Sequence, residues 1–160
     1  MSNRRGPSPS PAATAPRGCT SFRLRQLTRR VSQHYDRIVA GAGLKTTQYS
    51  LLSHIERLGP IRPSDLAAAM AMDASTLTRN LQPLVASGWA AIGPGADGRS
   101  RLVTATPAGR VKRAEAQREW KRAQLLLNEQ LGTARVAALH ALLDECLGAM
   151  NAVEEDGAHA

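Results

Sequence analysis

Two helix starts stand nine residues apart in the segment RPSDLAAAMAMDASTLTRN, and that spacing constrains the chain more than any other feature. Ser64 reads as the N-cap of the first helix, because its hydroxyl can accept a bond from an orphan amide of the first turn. Asp65 follows at the positive end of the helix dipole. Leu66 and Met70, four apart, face inward, and Ala71-Met72 makes a tight connection to Asp73, the second N-cap. The helix that Asp73 opens carries Leu77, Leu81, Leu84 and Val85 inward and stops at Gly88. Trp89–Ile92 and Arg101–Ala105 then read as short strands around the turn-forming PGADGRS, which makes a β-hairpin with an exposed tip.

The polar residues of the second helix are Ser75, Thr76, Thr78, Arg79 and Asn80. A helix-turn-helix places its second helix in the DNA major groove. Arginine there can bond guanine bidentately, asparagine can bond adenine, and threonine methyls can touch thymine. Serine and threonine near the helix start, Ser64 included, can also bond phosphates. The bland alternative is a solvated polar face. The capped helix before it and the hairpin after it weigh against that. The hairpin tip holds Asp97, Gly98 and Arg99, followed by Arg101. An arginine on a narrow loop can enter a minor groove, and Asp97 can pair with an arginine to hold the loop's shape.

The rest of the chain is helical by pattern. Leu24, Leu27, Val31, Tyr35 and Ile38 form a stripe on a first helix that runs from Cys19 to about Ala40, ended by Gly41 and Gly43. A second helix, about Thr47 to Leu58, buries Leu51, Leu52, Ile55 and Leu58, and Gly59-Pro60 ends it. Ile61 reads as a short strand residue. Pro107 opens a long helix to about Leu131, and Gly132 breaks it. The last helix carries a heptad-like seam of Val136, Leu139, Leu143, Cys146, Met150 and Val153. We therefore expect a mainly α protein with a small β-hairpin wing. Residues 1–18 form a Pro/Ala/Ser-rich disordered tail in which Arg4, Arg5 and Arg17 can touch phosphates, and 19–155 the folded domain. Within it, 46–106 is a winged-helix DNA-binding lobe, 19–43 and 107–155 a helical dimerisation lobe, and 156–160 a frayed tail.

Charge suggests a polyanionic partner, with a generally basic soluble protein as the alternative. The chain carries +8 overall, but residues 1–113 hold 17 Lys and Arg against 5 Asp and Glu, while residues 114–160 hold 4 against 8. Cys19 and Cys146 lie far apart, with no CxxC or Cys/His ligand spacing, so no metal is expected. The four histidines are scattered, and no phosphate loop, HExxH or nucleophile elbow marks an enzyme or a cofactor site. No long apolar run or apolar leader segment is present, so the expected location is cytoplasmic.

ASTLTRNLQPLVASGW followed by DGRSRLVTATPAGR resembles the MarR family of winged-helix transcriptional regulators. The matching pieces are Thr78-Arg79, Gly88-Trp89, Asp97-Gly98-Arg99 and Thr106-Pro107-Ala108-Gly109, within a similarity spanning residues 19–150. The resemblance implies an obligate homodimer built from the first and the last two helices, with Arg79 at the major groove and Arg99 at the minor groove. Pro83 departs from the pattern: it removes an amide inside the recognition helix and should bend it after its base-reading half. The resemblance further implies a cleft for a small phenolic or aromatic effector, for which Tyr35, Tyr49, His54 and Trp120 are candidates. The alternative for those four is core or boundary packing. Cys19, beside several arginines at a helix start, is a candidate redox sensor, and Cys146 reads as core. The expected function is a sequence-specific regulator, a repressor, reading a pseudo-palindromic operator. The alternatives are a cysteine-based redox regulator and a non-specific architectural DNA-binding protein.

Overall fold

The computed structural model describes residues 17–95 and 98–157. The tail before Arg17 with Arg4 and Arg5, the wing-tip Asp97 and the last three residues lie outside the described residues, as does the side chain of Val153. The element order is α1 Thr20–Val39, a 3-10 turn Ala40–Ala42, α2 Thr46–Leu58, α3 Pro63–Ala69, α4 Ala74–Ala86, β1 Ala90–Pro94, β2 Arg101–Ala105, α5 Pro107–Leu131 and α6 Thr133–Gly157. Among the described residues no helix is long and apolar enough to cross a membrane.

The core lies in the middle of the chain. Leu51, Leu52 and Ile55 from α2, Leu66 from α3, and Leu77, Leu81 and Leu84 from α4 close over Ala90, Val103 and Ala105 of the hairpin. Removing this much apolar surface from water is what fixes α4 in place. β1 and β2 pair antiparallel from Ala90↔Ala105 to Pro94↔Arg101. Ile61 adds a single bridge to the outer side of β2, exchanging bonds with Val103 at 3.1 and 2.8 Å. The wing is thereby anchored to the chain segment entering α3.

Local chemistry explains the element boundaries. Asp73 caps α4 as the sequence predicts: it accepts from the Thr76 amide at 2.7 Å, the Thr76 hydroxyl at 2.7 Å and the Ser75 hydroxyl at 2.6 Å. The Ser75 and Thr76 hydroxyls, then the Thr76 amide, hold its carboxyl well below the usual carboxylate range. Ser64 does not cap α3. The helix begins two residues earlier than a Ser64 cap requires, at Pro63, whose locked φ suits the first helical position, with Arg62 at the cap. The Ser64 hydroxyl donates instead to Asp65 Oδ1 at 3.3 Å. The start of α2 is served from α1, where Asp36 accepts from the Thr46 amide at 2.8 Å.

The junction into α5 shows why a threonine and a glycine stand three apart. Thr106 Oγ1 accepts from the Gly109 amide at 3.0 Å and donates to the Gly88 carbonyl at 2.6 Å, and the Thr106 amide bonds the Trp89 carbonyl at 3.1 Å. A Cβ on Gly109 would lie 1.9 Å from that same Trp89 carbonyl oxygen, so only glycine fits.

The outer helices differ from the pattern-based expectation. His34, Tyr35 and Val39 of α1 are buried against α5, but the stripe residues Leu24 and Leu27 are exposed. On α6, Val136 is buried, but Leu143 is exposed and Met150 is 66% exposed; Cys146, expected in the core, is exposed as well. Leu58 and Val85, expected inside, are exposed. Periodicity identified apolar faces, and in the single chain several of those faces meet solvent.

Candidate nucleic-acid interface

Burying Leu77, Leu81 and Leu84 turns the opposite side of α4 outward. Ser75, Thr78 and Arg79 are exposed there, and Thr76 and Asn80 are half-buried at its edges. Arg79 has no hydrogen-bond or ion-pair partner among the described residues, so its guanidinium is available to an external acceptor. The hydroxyls are less available than sequence reasoning expected. Those of Ser75 and Thr76 donate to Asp73, and that of Thr78 donates back to the Ala74 carbonyl at 2.8 Å. What they offer is accepting lone pairs, with the Thr78 methyl as the apolar feature. α4 continues through Pro83 to Ala86, and the Ser87 amide bonds the Pro83 carbonyl at 3.0 Å, so the missing amide does not end the helix.

The hairpin stands beside this face. Gly98, Arg99 and Arg101 are exposed, and the loop is closed by the Gly95 amide on the Ser100 carbonyl at 2.7 Å and the Gly98 amide on the Gly95 carbonyl at 2.9 Å. Gly98 has φ +66°, a left-handed conformation that glycine adopts without strain. Arg99 and Arg101 share a notch with Arg62, Pro63, Ser64 and Ser100. Ser64, misassigned as a cap, therefore does belong beside the wing. Arg62 is the residue that sequence reasoning missed: it sits between two prolines, outside any periodic segment, and only the Ile61–Val103 bridge brings it to the hairpin.

The four candidate effector residues fall into two linked sets. Trp120 lies between Tyr35 and Tyr49, with ring centroids 6.1 and 5.9 Å away, in a tilted stack joining α1, α2 and α5. Tyr35 and Tyr49 are buried, and the Tyr35 hydroxyl donates to Gln124 at 2.5 Å, while burial raises its pKa. His54 is apart from the stack, its Nδ1 on the Ser50 carbonyl at 2.8 Å. It shares a depression with Tyr49, Ser53, Glu56, Arg57 and Arg113, where Arg113 pairs with Glu56 and the Ser53 hydroxyl is buried without a partner among the described residues. Cys19 is exposed at the cap position of α1 and makes no capping bond. Among the described residues no group of His, Cys, Asp and Glu is arranged to hold a metal ion.

Residues 42–100, from the turn before α2 to the wing, match the model of the MarR family. Among curated proteins none matches the chain. Solved structures do. The transcriptional regulator MosR of M. tuberculosis is 28% identical over 83% of this chain and 98% of its own, with a TM-score of 0.68. The same regulator in complex with DNA is 29% identical over 81% and 98%, with a TM-score of 0.65. A Pseudomonas aeruginosa protein described as a probable transcriptional regulator is 26% identical over 79% and 96%, with a TM-score of 0.73. With its helix-turn-helix, its hairpin and its Thr106–Gly109 exit all in place, the chain has the winged helix-turn-helix fold and, over residues 42–100, is similar to the MarR family of transcriptional regulators.

Proposed function

We propose that the protein works as a homodimeric repressor: each copy lays α4 in a major groove of a pseudo-palindromic operator and its wing in the neighbouring minor groove. One observation carries this reading. Arg79 stands exposed on a helix whose other side is locked into the core and which packs against the first strand of an arginine-bearing hairpin. A guanidinium on a rigid support loses little freedom on binding, and bidentate contact to guanine is its most specific use. The likeness to MosR, solved in complex with DNA, supports the same reading.

Dimerisation is supported by the apolar surface left open on the helical lobe. Phe22 on α1, Leu125 on α5, and Leu142, Leu147 and Met150 on α6 are each more than half exposed. A monomer that keeps so much apolar area in water is unstable towards association. Two copies related by a twofold axis would present their α4 helices about 34 Å apart, one turn of DNA.

The Tyr35–Trp120–Tyr49 stack supports a small aromatic effector, since it joins helices of both lobes and an inserted ring would change their spacing. The nearby Ser53 hydroxyl offers such a ligand an unused polar anchor.

Fluorescence anisotropy against a duplex selected by the protein from a random pool, and against its scrambled counterpart, tests the central claim. A regulator prefers its selected site by at least about a thousandfold. Equal affinity for both duplexes would make this an architectural DNA-binding protein instead.

A further inference from the structure

The notch between the wing and the segment entering α3 contains a contact that neither element provides by itself. Its lining is Arg62, Pro63, Ser64, Arg99, Ser100 and Arg101. Pro63 also borders the groove that runs along α4 past Leu77, Thr78 and Ile92, so the notch opens next to the Thr78 edge of the recognition helix. Backbone bonds fix its two walls: Ile61 and Val103 exchange amide-to-carbonyl bonds at 3.1 and 2.8 Å, setting Arg62 and Arg101 on adjoining extended segments. Both arginines are exposed, and neither side chain has a hydrogen-bond or ion-pair partner among the described residues. The neighbouring acid, Asp65, takes the Ser64 hydroxyl and does not line the notch.

The position has a geometric consequence. The major and minor grooves of DNA share a wall, the sugar–phosphate backbone. A protein with one element in a major groove and another in the adjacent minor groove must set the surface between them against that wall. Here that surface gathers arginines from two chain segments. Gathered like charges repel, and a phosphate placed among them relieves the repulsion while accepting several N–H bonds.

We propose that Arg62, together with Arg101, grips a backbone phosphate of the strand separating the two grooves, and so sets the depth and register of α4 without reading bases. Arg62 is a positioning residue. The proposal rests on the DNA-binding reading above, and the test separates the two.

Anisotropy titrations over a salt series would use the selected duplex and its scrambled counterpart with the wild-type chain, Arg62→Gln, Arg62→Lys and a control. Arg122→Gln serves as control, because Arg122 is exposed on α5 and its nearest acid, Glu119, is 3.6 Å away. Arg62→Gln is expected to weaken binding to both duplexes by the same factor, roughly tenfold. It should also lower the slope of log affinity against log salt by ~0.9 for each copy on the DNA. Arg62→Lys should keep the wild-type slope, and Arg122→Gln should change nothing. An Arg62→Gln slope equal to wild type overturns the phosphate grip and leaves the DNA-binding reading standing. A changed ratio between the two duplexes also overturns it, because Arg62 would then read sequence. Failure of the wild-type chain to bind either duplex removes both readings.

Discussion

The helices around α4 and the last helix of this chain bury their apolar residues to different extents. In the winged-helix lobe, Leu51, Leu52, Ile55, Leu66, Leu77, Leu84 and Val103 are fully buried within one chain. In the helical lobe, α6 buries Val136 but leaves Leu142, Leu147 and Met150 largely in solvent. Both lobes are built from similar Leu- and Ala-rich helices, so composition does not separate them. What separates them is connectivity. The hairpin, the short helix α3 and α2 surround α4 from several directions, whereas α6 leans on α5 alone among the main helix contacts. A finished core holds α4 rigidly, and the open apolar face on α6 is where the proposed dimer would complete its own core.

Four experiments press on that contrast, from the largest expected effect downward. Leu84→Ala removes a fully buried side chain from the finished core and should cost about 2–5 kcal/mol by urea denaturation, with the same loss at every protein concentration. A loss that varied with concentration would mean that the two lobes unfold together. Leu147→Asp places a charge on the open face, where Leu147 is 58% exposed in the single chain. It should raise the dimer dissociation constant at least about a hundredfold in sedimentation equilibrium, while leaving the monomer's far-ultraviolet circular dichroism intact. Unaltered association would place the dimer contact elsewhere. Arg79→Ala should weaken binding to the selected duplex by about 1–3 kcal/mol and relax its base preference. Retained discrimination among operator variants would take Arg79 out of the groove.

The smallest effect concerns the cap of α4. The folded-state pKa of Asp73 is depressed by its bonds to Ser75 and Thr76, so its contribution to stability is present above the unfolded carboxylate range and fades as pH falls through it towards the folded value. Wild type should therefore melt above Asp73→Asn near neutral pH, and the gap should narrow progressively below about pH 4. A gap that widened on acidification would show that the carboxylate is not what holds the cap.

Much of the winged-helix lobe was legible in the sequence because its signals are local. Asp73 caps, Gly88 stops, Arg101–Ala105 forms a strand and Pro107 starts a helix as the residue types require. Ser64 misled because two helix-start signals competed one residue apart, and the locked φ of Pro63 won. Leu24, Leu27 and Cys146 misled for another reason. Their spacing marks an apolar face, but spacing cannot tell whether the same chain or another copy covers it. The Tyr35–Trp120–Tyr49 stack was partly foreseen as a set of aromatics, yet His54 stands apart because its ring is drawn to the Ser50 carbonyl of its own helix. Arg62 had no local signal at all, since a single long-range bridge creates its neighbourhood.

The joint where Thr106 and Gly109 meet Gly88 and Trp89 has no slack. α5 is therefore a lever welded at one end to the reading head. Its 25 residues make a shaft about 37 Å long. Turning such a shaft by about 5° sweeps its far tip through roughly 3 Å, comparable to the step from one base pair to the next along a strand. A tilt too small to disturb any single packed contact would thus be enough to move the two α4 helices of the proposed dimer out of step with the ladder.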